Sequence, residues 1–145
     1  MCQFCKVEKN HLIFSTSLVN VFHFPNAVSK FHFVVAPCRH IFKIIDLDDR
    51  EIKELFQVGR DFARKVSIQN QEIVKYSLVE LVDEGDHLHI HFIPRLLDEK
   101  SPMINFVFKP DGWAGHIIKD AWKFENVQSL RELNMNEQEQ PSEKY

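Results

Sequence analysis

The apolar positions near the start of the chain follow the two-residue period of β-strands. Residues 12–37 contain three short segments, LIFSTS, VNVFHF and FHFVVAP, which are rich in β-branched and aromatic residues and are separated by polar or Pro/Asn turns. The pattern predicts three strands in this part of the chain.

Between residues 45 and 66 the apolar positions change to a helical period. Asp48 and Glu51 have the spacing of a capping pair in the first turn of a helix. Apolar side chains then fall on one stripe, which consists of Ile52, Leu55, Phe56, Phe62, Ala63 and Val66. The pattern predicts one amphipathic helix that uses this stripe for packing.

Two further strands are predicted after the helix, at 72–82 and 87–95, and the turn DEGD joins them. Another strand is predicted at 104–110. An amphipathic stretch from Trp113 to about Leu133 follows it.

Length and composition fit one globular domain, since the 145 residues are 44% hydrophobic and 27% charged. We predict that it covers 1–135 and that the polar residues 136–145 form a disordered tail. The formal net charge is −3, without a long basic block, so no duplex nucleic acid is expected as a partner. No apolar run approaches the ~20 residues that span a bilayer, and the N-terminus lacks the apolar region of a signal peptide. We therefore expect a cytoplasmic protein without a membrane partner.

The stretch HLHIHF places His87, His89 and His91 at every second position. Residues two apart on a strand point to the same side, about 6.6 Å from each other, so the three imidazoles should line one exposed face while the intervening apolar residues enter the core. Three interpretations are open: a solvated face, a metal site made by the row, and nucleophilic or acid–base chemistry.

Two of the three cysteines, Cys2 and Cys5, form a Cys-x-x-Cys pair. In a reducing compartment such a pair more often holds a metal than a disulfide. Redox chemistry and a merely mobile terminus are the alternatives. Cys38 is interpreted as a plain thiol that is at least half-buried.

Three segments, CQFC, FHFVVAPCRHI and HLHIHFIPR, together resemble the motifs of the histidine triad (HIT) family. They occur in that order, with a helix between the last two, and the similarity covers roughly residues 2–95. The resemblance implies an α+β fold of the HIT type, with an antiparallel five-stranded sheet, one long central helix and a C-terminal helical extension. It also implies a homodimer that acts on nucleoside phosphates or nucleotide conjugates.

The resemblance implies a role for three histidines at the reaction centre. The middle triad residue, His89, would attack the α-phosphorus and form a nucleotidyl-imidazole intermediate that water hydrolyses. That role requires the other nitrogen of His89 to donate to a backbone carbonyl, which fixes the tautomer. His91 and His32 would contact the phosphate oxygens.

By the same resemblance, Cys2, Cys5, His40 and His87 would form a structural zinc site. Two thiolates and two imidazoles complete a tetrahedral set and leave no open position on Zn²⁺. The zinc would tie the N-terminus to the strand that carries His89.

The segment before the triad departs from the family pattern. HIT proteins usually supply Asn, Gln and Ser or Thr there as donors to the phosphates, whereas residues 79–86, VELVDEGD, contain none of these and are acidic. Phe24 stands where the family tends to have the Asp or Asn that binds the ribose, so Asn26 or Asn20 would have to replace it. These departures keep open a second hypothesis, a zinc-stabilised nucleotide-binding module with little or no turnover.

Overall fold

The computed structural model describes Cys2, Phe4, Cys5 and residues 11–24, 31–80, 86–96 and 124–135, without the side chains of 124–127. Within these ranges, five strands form one antiparallel sheet in the order β1-β2-β3-β5-β4. The strands are β1 (Leu12–Ser15), β2 (Val19–His23), β3 (Phe33–Pro37), β4 (Ile73–Glu80) and β5 (Ile90–Leu96).

The long predicted helix is present as α1 (Asp49–Gln69), after a short 3₁₀ turn at Ile44–Asp46. The predicted cap is confirmed: the Asp48 carboxylate accepts from the backbone N–H of Glu51 at 2.8 Å, and the Glu51 carboxylate accepts from that of Asp48 at 3.1 Å. This reciprocal pair satisfies two N–H groups that a helix start otherwise leaves without partners.

Both helices pack on one face of the sheet. The second helix, α2 (Phe124–Met135), overlaps the predicted amphipathic stretch, and the Arg131 guanidinium donates to the carbonyl of Leu12 on β1 at 2.9 Å. The α+β class, the five-stranded antiparallel sheet, the central helix and the C-terminal helix are therefore confirmed. The core between the helices and the sheet contains Ile13, Val19, Val21, Phe33, Val35, Leu55, Phe62, Ala63, Val66, Ile90, Phe92, Leu130 and Leu133.

The predicted helix stripe was only partly right. Ile52 and Phe56 are each 39% exposed. The buried side of α1 instead runs through Glu51, Leu55 and Gly59, at intervals of four residues, and continues along the last three predicted positions. The bare backbone at Gly59 lets the Phe92 ring of β5 approach the helix.

The opposite face of the sheet carries a second apolar cluster, which consists of Phe4, Phe22, Phe24, Val34 and Ala36. β5 begins at Ile90, later than predicted, so two of the three triad histidines precede the strand. The predicted strand at 104–110 and tail at 136–145 lie outside the described residues. Within the described parts of the chain, neither helix has the length and apolar character needed to cross a bilayer.

Candidate active site and metal centre

The histidine face is buried, so the expectation of an exposed row was wrong. His89 is 2% exposed and His91 is fully buried. The Phe4 ring stacks on His89 with 4.2 Å between ring centroids and 20° between planes, and the Phe24 ring meets His91 edge-on at 4.6 Å. The imidazoles thus pack against the second apolar cluster, which alternation along a strand could not show.

His89 has a defined tautomer. Its Nδ1 lies 2.9 Å from the backbone carbonyl oxygen of His87. A carbonyl can only accept, so Nδ1 carries the proton, and in the neutral ring the lone pair is then on Nε2. This is the arrangement expected for a nucleophilic imidazole.

His32 and His91 form a buried imidazole pair. Nε2 of His32 lies 2.9 Å from Nδ1 of His91, and both rings are fully buried. Burial, followed by the neighbouring charges of His91 and His23, holds the pKa of His32 well below its ordinary value. A neutral His32 has one N–H, so one ring of the pair donates and the other accepts. Phe31, directly before His32, has a positive φ of 66°, which is uncommon for a residue other than glycine.

The four predicted metal ligands lie together. One ligand atom from each of Cys2, Cys5, His40 and His87 falls within 4.8 Å of all the others. Cys5 Sγ lies 3.1 Å from Nδ1 of His40 and 3.3 Å from Nδ1 of His87, and Cys2 Sγ lies 3.4 Å from Nδ1 of His87. Neighbouring ligand atoms of a tetrahedral ion bound at about 2.0–2.3 Å are roughly 3.3–3.8 Å apart. The cluster therefore fits one tetrahedral metal ion.

The outer nitrogens of both candidate ligand histidines face acceptors. Nε2 of His87 lies 2.8 Å from the carbonyl oxygen of Pro37, and Nε2 of His40 lies 3.4 Å from a carboxylate oxygen of Asp86. Such partners keep the proton on Nε2 and leave the Nδ1 lone pair for a metal. The pKa of His87 is lowered by burial, although the bond to Pro37 opposes this shift. Cys5 is exposed, and the pKa of its thiol is raised by partial desolvation and then by Cys2 and Asp86.

The turn that carries His40 is held at several points. Arg39 donates from Nε to Glu51 at 3.1 Å, and its Nη2 donates to the other carboxylate oxygen. Glu51 is 3% exposed, and its pKa is lowered chiefly by this hydrogen bond. The backbone N–H of Leu88 donates to the carbonyl of Ile41 at 2.6 Å, which ties the turn to the segment that bears His87.

Some residues around the site were not found, or were misjudged, from the sequence. Phe4 was missed, although it is the aromatic residue inside the Cys-x-x-Cys pair. Asp86 was counted only among the acidic residues before the triad, but its carboxylate faces His40. Cys38 is exposed, so the interpretation as an at least half-buried thiol was wrong; it lies on the surface turn beside Arg39. Asn20 accepts a hydrogen bond from Ser15, and Asn26 lies outside the described residues.

Solved structures with the same fold include three histidine triad or nucleotide-handling proteins. A hypothetical histidine triad nucleotide-binding protein from Sulfolobus tokodaii is 20% identical, with a TM-score of 0.63 and 93% of each chain covered. A Zn-bound histidine triad family protein from Mycobacterium smegmatis is 17% identical, with a TM-score of 0.69 and 91% of each chain covered. A diadenosine triphosphate hydrolase from Plasmodium falciparum, in complex with Cyclomarin A, is 16% identical, with a TM-score of 0.64; the match covers 90% of this chain and 80% of the hydrolase.

The amino-acid sequence itself matches a known domain family. A model of the HIT domain matches residues 6–97, which is more than half of the chain and includes the whole triad. This protein belongs to the HIT, or histidine triad, family.

Proposed function

We propose that this protein is a nucleotide hydrolase or transferase that acts at the α-phosphate of a nucleoside phosphate or nucleotide conjugate. The observation that carries the proposal is the contact between Nδ1 of His89 and the carbonyl of His87, which leaves the Nε2 lone pair of a neutral imidazole for attack. The structural similarity to a diadenosine triphosphate hydrolase supports a nucleotide substrate.

The proposed reaction has two steps at phosphorus. In the first, the Nε2 lone pair of His89 forms a bond to the α-phosphorus while the bond to the leaving group breaks; the leaving group keeps that electron pair and takes a proton from solvent. The imidazole, still protonated on Nδ1, becomes positively charged. In the second, a water oxygen or another acceptor bonds to phosphorus, the Nε2–P electron pair returns to Nε2, and the acceptor's proton goes to solvent.

The His32–His91 pair supplies a donor for the phosphate oxygens in this scheme. If His32 donates its Nε2 proton to Nδ1 of His91, the proton of the neutral His91 ring resides on its own Nε2. Nε2–H of His91 then contacts the phosphate oxygens as charge develops on them. His32 acts on the phosphate side through His91, and Asn26 is the proposed contact to the ribose.

We propose zinc as the metal of the Cys2, Cys5, His40 and His87 cluster. Two thiolates with two imidazoles are a ligand set typical of structural zinc, and they leave no position for substrate or water. When bound, the ion supplies structural order, and the four residues tie the N-terminus to the segment that precedes β5. A zinc-bound protein among the structures of the same fold supports this choice.

We also propose that a second copy of the chain is the stable partner. Among the described strands, β4 is an edge strand of eight residues that pairs only with β5, and such an edge can accept another strand. Leu78 of β4 is 48% exposed, and Phe56 of the neighbouring α1 is 39% exposed. With Phe92 they line a groove of about 610 Å³. Pairing of two β4 strands would continue the sheet and cover these apolar side chains.

The direct test compares wild type with His89→Asn on a nucleoside 5′-phosphoramidate and on diadenosine polyphosphates. Loss of the nucleophile is expected to lower kcat about a thousandfold or more. His23→Asn is the matched control, because His23 is also buried, at 1% exposure, and its ring lies against that of His11. Turnover quenched in alkaline denaturant, in which the acid-labile N–P bond survives, should show the nucleotidyl group on His89.

A nucleotidyl group on another side chain would contradict the assignment of His89. Nucleotide binding by the wild type without turnover on any of these substrates would favour the second hypothesis, a zinc-stabilised binding module. The acidic segment before the triad is the sequence feature that motivates this hypothesis.

A further inference from the structure

Phe4 is in contact with the proposed nucleophile on one side and is part of the proposed metal loop on the other. Its ring stacks on the His89 imidazole at 4.2 Å and 20°, and the side chain is 3% exposed. The lone pair of an imidazole nitrogen lies in the ring plane. A ring stacked on the face of His89 therefore restricts its rotation without obstructing attack through Nε2.

The position of Phe4 depends on its two neighbours in the metal cluster. Cys2 and Cys5 flank it, and the backbone N–H of Cys5 donates to the carbonyl of Cys2 at 3.2 Å, which closes a tight turn around Phe4. Both sulfurs lie near Nδ1 of His87. A metal ion that binds the two thiolates would hold the turn against the sheet and keep the Phe4 ring on His89.

The stacked ring also suits the charge that the reaction creates. Attack through Nε2 converts the neutral imidazole of His89 into a positively charged nucleotidyl-imidazolium. An aromatic face attracts a cation that lies over it, and the attraction increases when the pair is removed from water. The contact with Phe4 is therefore stronger after attack than before it, which is the condition for lowering the barrier.

We infer that Phe4 is a positioning residue that couples the Cys2–Cys5 metal loop to the His89 imidazole. This inference rests on the proposed function for its catalytic part, since it assigns Phe4 a role in the same reaction. The stacking and its dependence on the metal are properties of the resting protein, and they can be measured without any substrate.

The first measurement is the NMR signal of the His89 imidazole C–H groups in the full, zinc-loaded chain, assigned by its loss in His89→Asn. The ring current of a stacked phenyl group moves these signals upfield. Phe4→Leu should move them back downfield, whereas Phe4→Tyr should leave them upfield. Removal of zinc by a chelator from wild type should have the same effect as Phe4→Leu.

The second measurement is steady-state kinetics on the best substrate found for wild type. Phe4→Leu is expected to lower kcat on the order of tenfold with little change in KM, and Phe4→Tyr should restore it. Phe22→Leu is the control, because the Phe22 ring lies 5.2 Å from Phe4 and belongs to the same cluster. It should change stability but leave kcat and the His89 signals near those of wild type.

Imidazole signals that do not respond to Phe4→Leu or to the chelator would overturn the inference. An equal fall of kcat in Phe22→Leu would also overturn it, because Phe4 would then affect the reaction only through packing of the cluster. If Phe4→Leu loses its zinc, Phe4→Tyr still tests the inference, because this variant keeps an aromatic ring at position 4. Loss of the upfield His89 signals in Phe4→Tyr would contradict the stacking. If the wild type has no turnover, the proposed function fails, and the imidazole signals alone decide whether the metal loop holds His89 through Phe4.

Discussion

His32 and His91 lie 59 positions apart in the sequence, yet Nε2 of His32 is 2.9 Å from Nδ1 of His91 in the fully buried interior. The sheet makes this contact, since Val34 of β3 pairs with His91 of β5 and His32 lies just before β3. A single proton between the rings determines which nitrogen of His91 is protonated. The pair therefore links the tautomer of one histidine to the presence of the other.

His32→Phe should lower kcat roughly a hundredfold, because His91 loses the donor that keeps its Nε2 protonated toward the phosphate. The loss should be smaller than that of His89→Asn, since the nucleophile remains. The same substitution at His23, also buried, is the matched control and should leave kcat near wild type. Equal losses in the two variants would indicate a packing effect and contradict the proposed role of His32.

Metal analysis of protein purified without chelator should find about one zinc per chain, and Cys2→Ser with Cys5→Ser should abolish it. Because the metal ties the N-terminus to the segment before β5, its removal should lower the melting temperature by roughly 10 °C. Cys38→Ser is the control, since Cys38 is exposed and outside the cluster. Wild-type protein without bound zinc would refute the site.

Gly59→Ala should destabilise the protein by about 1–3 kcal/mol, although alanine is the better helix former. A Cβ atom at this position would lie 2.8 Å from Cε1 of Phe92. That ring is 4% exposed and stacks on Phe33 at 5.0 Å and 13°, so moving it to relieve the overlap would disturb this packing. Urea unfolding measures the change.

A smaller residue at position 92 provides the matching test. Phe92→Leu in the Gly59→Ala background should remove the overlap, so the two substitutions should cost less together than the sum of their separate effects. Strict additivity would show that the added methyl group does not meet Phe92.

Stability should fall between pH 7.5 and pH 5 in part because of His23. Burial, followed by the charge of His11, lowers the pKa of His23 to about 4 in the folded protein, against 6.5 as its ordinary value. As the pH falls below 6.5, His23 therefore binds a proton in the unfolded chain before it does so in the folded protein. The stabilisation by neutral His23 is complete above pH 6.5 and is lost as the pH falls to about 4.

Comparison with His23→Phe isolates this contribution, because both proteins share the other titrating groups. The difference in unfolding free energy between wild type and variant should shift by about 2 kcal/mol between pH 7.5 and pH 5, with wild type losing more. Parallel stability curves for the two proteins would contradict the lowered pKa of His23.

Sedimentation at micromolar concentration should show a dimer, and Leu78→Lys should convert it to a monomer. The charge would have to enter the apolar groove beside β4, where burial without a partner is costly. Ile45→Lys is the control, because Ile45 is 80% exposed and does not line the groove. A wild-type monomer at this concentration would refute the proposed partner.

Local pattern in the sequence was sufficient to predict α1 and the five strands that the structure describes. The capping pair Asp48 and Glu51 marked the start of α1 because its hydrogen bonds form between residues three positions apart. The two-residue period marked the strands, and it placed Ile90 and Phe92 on the core side of β5 because side chains alternate along an extended chain. The segments that resemble the HIT family named the four residues that converge on the candidate metal site.

Only the tertiary structure decided what covers and connects the histidines. Periodicity states which residues share a face, but not what packs on it; here Phe4 and Phe24 come from outside β5 and enclose His89 and His91. Periodicity also could not show that Ile52 and Phe56 are partly exposed. The rotation of α1 about its own axis determines this, and it depends on how closely the Phe92 ring approaches Gly59. The His32–His91 contact likewise depends on the register of β3 and β5, because long-range pairing between strands is set by the packing of the whole sheet and not by the residues near either histidine.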